Sequence, residues 1–357
     1  MTNRKTESRG LNRSTFAWAF YDWANSAFAL SVLAVLFPLV LGNYWSVGDG
    51  GAAVTVRLGW ITFAASAIVC ITAPIFGTIA DAGGYRKKFL FFLALIGAVM
   101  TASLGLVGQG NWPLALGVYL VASIGYYNST VFYDSLLIDV TEPEHYSFVS
   151  TLGFSLGYLG GALLLALHLW MVKSPATFGL AGIPEAFSMA FVSVGVWWVL
   201  FLIPLMYLVP ERHSAIEVTS GAIRAAYAEL RNTLHQIGKY RNIAIFLGGY
   251  WLYVGGVFTV IFMAVNYGQR LGFADQDLVF ALLITNFAGF PATLLYGLAA
   301  QRFGAKAGIY FALLVYIGAC MWGIVMTTIE EFYIMAVTIG CVQGGVQGLS
   351  RSLYASI

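Results

Sequence analysis

Ten long apolar stretches, more than any water-soluble core can absorb, limit what this chain can become. A membrane-spanning helix needs roughly 20 mainly apolar residues. Such stretches fall at about 16–41, 58–80, 89–109, 112–138, 148–170, 185–209, 242–266, 276–300, 307–327 and 332–354. Barrel strands would alternate polar and apolar over about ten residues, whereas these runs are longer and evenly apolar. The expectation is an all-α membrane protein with the lipid bilayer as part of its solvent. Charge agrees: 10% of the 357 residues are Asp, Glu, Lys or Arg, against about 25% in soluble domains. The net charge of +2 gives no reason to expect a nucleic-acid partner.

The basic residues orient the spans. With the N-terminus inside, fifteen of the 18 Lys and Arg residues fall on inner segments, and only Arg57, Lys173 and Arg270 fall outside. Such a bias places the N-terminus in the cytoplasm, and the expected home is a prokaryotic inner membrane. The first apolar run is too long for a signal-peptide core of about 7–15 residues and reads as a retained anchor. One inner segment, 211–241, is long and carries Ile223, Tyr227, Leu230, Leu234 and Ile237 at spacings of three and four. That pattern predicts an amphipathic helix on the inner face, dividing the chain into 1–210 with six spans and 242–357 with four. Cys70, Cys320 and Cys341 lie apart inside apolar runs, and His145, His168, His213 and His235 are scattered. No disulfide framework, zinc site or other metal is expected.

The two parts contain related turns. "FGTIADAGGYRKKFL" (76–90) aligns with "YGLAAQRFGAKAGIY" (296–310), matching Gly77 to Gly297, Gly84 to Gly304 and Arg86 to Lys306. Duplicated halves are common in secondary transporters, where the solute site lies between them. Gly77, Asp81, Gly84 and Arg86 resemble the G-x3-D-x2-G-x-R/K signature of the major facilitator superfamily, with Ala82 and Tyr85 at two positions that are usually basic. "YDWANSAF" (21–28), "GYLGGALLL" (157–165) and "GGVQGLSRSLYA" (344–355) are similar to the first, fifth and tenth helices of its vacuole-effluxer-like subfamily, named for amino-acid exporters of fungal vacuoles. The resemblance implies two pseudo-symmetric six-helix halves. Ten helices rather than twelve then suggest a sequence lacking the last two. It also implies gating roles for Gly77, Asp81, Gly84, Arg86 and Lys87, and for Gly297, Arg302 and Gly304 in the second half.

Asp22 is the residue that most needs a reason. It shares a helical face with Asn25, Ser26 and Ala29 and lies about 9 Å along its helix from Phe16. A charge at mid-bilayer costs about 2.5–3.5 kcal/mol on insertion scales, so Asp22 must meet a cavity, a partner or a proton. On the fourth helix Tyr127, Thr130 and Asp134 share a face, beside Asn128. On the tenth, Gln343, Gln347 and Arg351 do so at i, i+4 and i+8. In the superfamily the first, fourth, seventh and tenth helices line the central cavity, which implies that these groups, with Tyr253 of the seventh, surround its inner mouth. Arg351 is expected to pair with Asp22 or Asp134 and close the cavity. Asn25, Asn128 and Gln347 are expected to contact solute. A partly buried carboxylate can also carry a coupling proton, but no cofactor is implied. Gly153, Gly157 and Gly161 form a small-residue stripe for close helix contact, and Pro74, Pro204 and Pro291 are expected to kink their helices.

The sequence has no G-x4-G-K-S/T loop and no cluster of nucleophile, base or metal ligands, so neither an ATP-driven pump nor an enzyme is expected. The reading is a monomeric secondary active transporter that exports a small, polar, amino-acid-like solute by alternating access. The alternative is a non-transporting sensor or scaffold on the same fold.

Overall fold

The computed structural model describes residues 11–211, 228, 231 and 241–356. Within the described residues the chain forms ten long helices and no strand. They are α1 (Arg13–Trp45), α2 (Gly51–Gly83), α3 (Arg86–Leu104), α4 (Trp112–Ser135) and α5 (Tyr146–Lys173). α6 (Ile183–Leu208), α7 (Arg241–Arg270), α8 (Asp275–Phe303), α9 (Ala305–Val325) and α10 (Ile329–Ala355) follow. All ten are long and apolar enough to cross a membrane. The amphipathic helix expected over 211–241 lies outside the described residues, apart from 211, 228, 231 and 241.

Local chemistry explains several helix ends. α10 opens with a reciprocal cap: Glu331 N–H donates to Thr328 Oγ1 at 3.3 Å, and Thr328 N–H donates to Glu331 Oε2 at 3.0 Å. α2 stops at Gly84 and α8 at Gly304, both with positive φ, 63° and 83°. A side chain at these angles is strained. The two glycines that the internal repeat aligns thus both end their helices at a positive φ, with different ψ, 42° at Gly84 and 152° at Gly304. α2, α6 and α8 continue through Pro74, Pro204 and Pro291. α1 is less regular than its composition suggests, with π-helical stretches at Phe28–Leu36 and Leu41–Trp45.

Contacts divide the described residues into two compact units. One draws on Met1–Trp23, Val140–Ala162 and Leu234–Ile357 and so joins helices from both sides of segment 211–241. In it α10 packs on α8 and α9 through glycines. A Cβ added at Gly340 would strike the Thr285 carbonyl, and one at Gly344 would strike Thr293 and Tyr158. Gly160 admits the Trp23 ring, 2.6 Å from where its Cβ would stand. Gly153, Gly157 and Gly161 are all buried.

The other unit draws on Ala24–Asp139 and Leu163–Thr233. Its α3 lies against α4 and α6. A Cβ at Gly97 would stand 2.7 Å from Trp198, and one at Gly125 would stand 2.7 Å from the Leu93 carbonyl. Phe28 packs between Tyr126 and Trp198, with ring centroids 5.0 and 5.4 Å away. α1, α5 and α10 are the most buried helices, and α2 and α7 the most exposed. The exposed faces carry Trp60, Phe63, Trp251 and Leu252, side chains suited to hydrocarbon.

Candidate functional site

The first unit holds a buried cluster around Arg351. Three helix faces build it, each with a pair of residues four apart that stack on one side of a helix: Trp18 and Asp22 on α1, Ser150 and Phe154 on α5, Gln347 and Arg351 on α10. Arg351 Nη2 donates to Asp22 Oδ2 at 3.1 Å, and the two side chains are only 8% and 7% exposed. Its Nε donates to Ser150 Oγ at 2.8 Å, and Nη2 also donates to the Ser150 carbonyl at 2.8 Å. The Ser150 hydroxyl gives its own proton to the Gly348 carbonyl at 2.7 Å, which leaves lone pairs for the arginine. The guanidinium lies 4.7 Å from the Trp18 ring centroid and 4.2 Å from that of Phe154. Both distances suit cation–π attraction.

This arrangement answers why a carboxylate stands inside α1. A buried charge needs a partner and hydrogen bonds, and Asp22 has both in Arg351. Of the two acids considered as partners for the arginine, the structure joins Asp22 to it. Gln347 lies one turn before Arg351 and accepts from the Tyr158 hydroxyl at 2.8 Å. Gln343 is partly buried a further turn away. The Tyr253 hydroxyl meets Ser350 at 2.7 Å.

Most of the remaining candidates belong to the other unit. Asn25 and Asn128 are buried, while Tyr127 and Asp134 are partly buried. The Asn128 amide donates to the Ile124 carbonyl at 3.0 Å and to Thr72 Oγ1 at 3.2 Å. Its polar atoms therefore brace α2 against α4. Tyr127 lies edge-on to Tyr126. At the α2–α3 turn, Arg86 Nε pairs with Asp81 Oδ1 at 2.5 Å, and its Nη1 lies 3.7 Å from Asp139 Oδ2. The next residue, Lys87, donates through Nζ to the Met206 and Val209 carbonyls at 2.9 and 2.6 Å. It thereby caps the end of α6, where a cation opposes the negative pole of the helix. In the first unit, Gly297 lies against Thr151 and Phe148, and Arg302 is exposed beside Phe303. The candidates missed in the sequence are Trp18, Ser150, Phe154 and Tyr158. A signal was there: Ser150, Phe154 and Tyr158 recur every four residues on one face of α5.

Comparison with known proteins places the chain. The sequence profile described as "Vacuole effluxer Atg22 like" matches residues 60–145 and 138–357. The chain belongs to the vacuole effluxer Atg22-like family. It is 33% identical over 344 residues to the uncharacterized MFS-type transporter YxiO of Bacillus subtilis (strain 168), across 96% of this chain and 80% of that protein. Autophagy-related protein 22 of Eremothecium gossypii is 20% identical over 407 residues, across 96% of this chain and 79% of the fungal protein. Two solved structures share the fold. The proton:xylose symporter XylE, bound to 6-bromo-6-deoxy-D-glucose, aligns at a TM-score of 0.61 and 15% identity, over 96% of this chain and 84% of its own. The human organic anion transporter MFSD10 (TETRAN) aligns at 0.57 and 16%, over 99% and 91%. The fold is thus of the major-facilitator type, and this family member is a multi-pass membrane protein and a secondary transporter of small molecules.

Proposed function

We propose that the protein exports a small, amino-acid-like solute by alternating access across a prokaryotic cytoplasmic membrane, with the Asp22–Arg351 pair as its cytoplasmic closure. Segments 1–210 and 242–357 would act as the two moving halves, joined through 211–241. The observation that carries the reading is the pair itself. It ties the start of α1 to the end of α10, and the distribution of basic residues puts both ends on the cytoplasmic side. Locking two such ends together seals one side of a transport path, and separating them opens it. A solute with an ammonium and a carboxylate group matches the two charges and can compete with the pair for itself. The family's descriptive name supports export, and proton movement with the solute is the expected coupling.

The test is counterflow in proteoliposomes. Vesicles preloaded with one unlabelled amino acid at a time are given trace labelled amino acid, with and without an imposed pH gradient. Saturable exchange of at least one amino acid is expected, together with its loss in Asp22→Asn and Arg351→Gln at unchanged protein level. Binding without any net movement would favour a sensor. The absence of exchange for every amino acid would remove the substrate class.

A further inference from the structure

A second buried polar group belongs to the other unit and plays no part in the proposed closure. His168 of α5 is fully buried, as is Ser31 of α1. The ring bridges two helices: Nδ1 lies 3.1 Å from Ser31 Oγ and Nε2 lies 2.8 Å from Ser193 Oγ of α6. Counting protons assigns each role. A serine hydroxyl has a single proton, and Ser193 gives its own to the Ala190 carbonyl at 2.8 Å. Ser193 Oγ therefore accepts from the imidazole, which puts the ring proton on Nε2. A neutral ring then has a bare Nδ1, and Ser31 must donate to it. Every polar atom of the trio is satisfied with the histidine uncharged, the form that deep burial in an apolar helix bundle favours.

Ser31 also occupies an unusual place. It lies within the π-helical stretch Phe28–Leu36, a geometry that is rare and seldom continues for long. Serines and threonines elsewhere in these helices mostly turn back onto a carbonyl three or four residues earlier, as Thr72 does on Ile68 and Ser135 on Phe132. Ser31 instead reaches sideways to α5.

We propose that His168 is a positioning residue, a neutral bolt of fixed tautomer that holds the π-helical stretch of α1 in register through Ser31. π and α geometry differ in residues per turn, so the bolt fixes how far α1 is wound between its two ends. Losing the bond to Ser31 lets the stretch rewind toward α geometry, with a longer rise per residue. This inference does not depend on which solute is carried.

Two measurements on the full chain in lipid nanodiscs test it. The first is 15N NMR of protein labelled at histidine, with the His168 signals identified by their disappearance in His168→Gln. A protonated Nε2 and an unprotonated Nδ1 are expected at neutral pH; a proton on Nδ1 overturns the proposal. The second is the electron–electron distance between spin labels at Phe16→Cys and Val47→Cys, both exposed positions, after replacing Cys70, Cys320 and Cys341 with Ser. Ser31→Ala and His168→Gln should shift the distribution to longer distances. His168→Asn, whose amide overlies Nδ1 and keeps the bond to Ser31, should not. If His168→Gln fails to fold, Ser31→Ala reads the same bond. No shift in Ser31→Ala, or equal shifts in the Asn and Gln variants, overturns the proposal.

Discussion

Asp22–Arg351 and Asp81–Arg86 are the same chemical pair in two settings. The first is closed in, with 8% of the arginine and 7% of the aspartate side chain exposed. The second stands at a turn, with 26% and 58% exposed. Water screens the second pair, and such pairs contribute about 0–1 kcal/mol. Around the first pair little water remains, so removing one partner strands a charge at a cost of about 3–5 kcal/mol. The lesson is that the immersion of a pair, and not its presence in a motif, decides how strongly it can hold two helices together.

The sharpest way to break this comparison is Arg351→Ala. It should destabilise the protein by about 3–5 kcal/mol, read as a lowered thermal midpoint in detergent, while Asp22→Ala/Arg351→Ala should lose less than the two single changes together. Wild-type stability in Arg351→Ala would erase the distinction. Next in size is Gly344→Ala, where a methyl would strike Thr293 and Tyr158; overpacking of this kind costs about 1–3 kcal/mol. Lys87→Met removes the cation from the end of α6 and should cost about 0.3–1 kcal/mol, seen as faster amide exchange in the last turn of that helix. Smallest is Asp81→Ala, which removes the exposed partner of the turn pair and leaves Arg86 beside Asp139, with an expected change within about 1 kcal/mol. A midpoint shift there as large as that of Arg351→Ala would mean that exposure is a poor guide.

The helices were legible because each run exceeds the roughly 20 apolar residues that a span requires. The internal repeat was legible in part: Gly84 and Gly304 share a positive φ, whereas Gly297 is packed tightly and Gly77 has nothing within 4 Å of a would-be Cβ. Asp22 and Arg351 stood out because charges are rare inside spans. Ser150 did not, because a serine in an apolar helix usually satisfies itself on its own backbone. Asn128 was read as a solute contact, and its amide is engaged between α2 and α4. The π-helical stretches left no mark in composition, since π and α turns differ in hydrogen-bond register and both accept the same apolar residues.

The grip of Ser150 on Arg351 has a consequence for evolution at that position. Both oxygens of one serine meet one edge of a flat cation, and two aromatic rings lie close to it. An ammonium is compact, strongly hydrated and has no plane to stack. Lysine at 351 would conserve the sign of the charge and forfeit the fit, so the slot selects for the outline of the ion as well as its electrostatics.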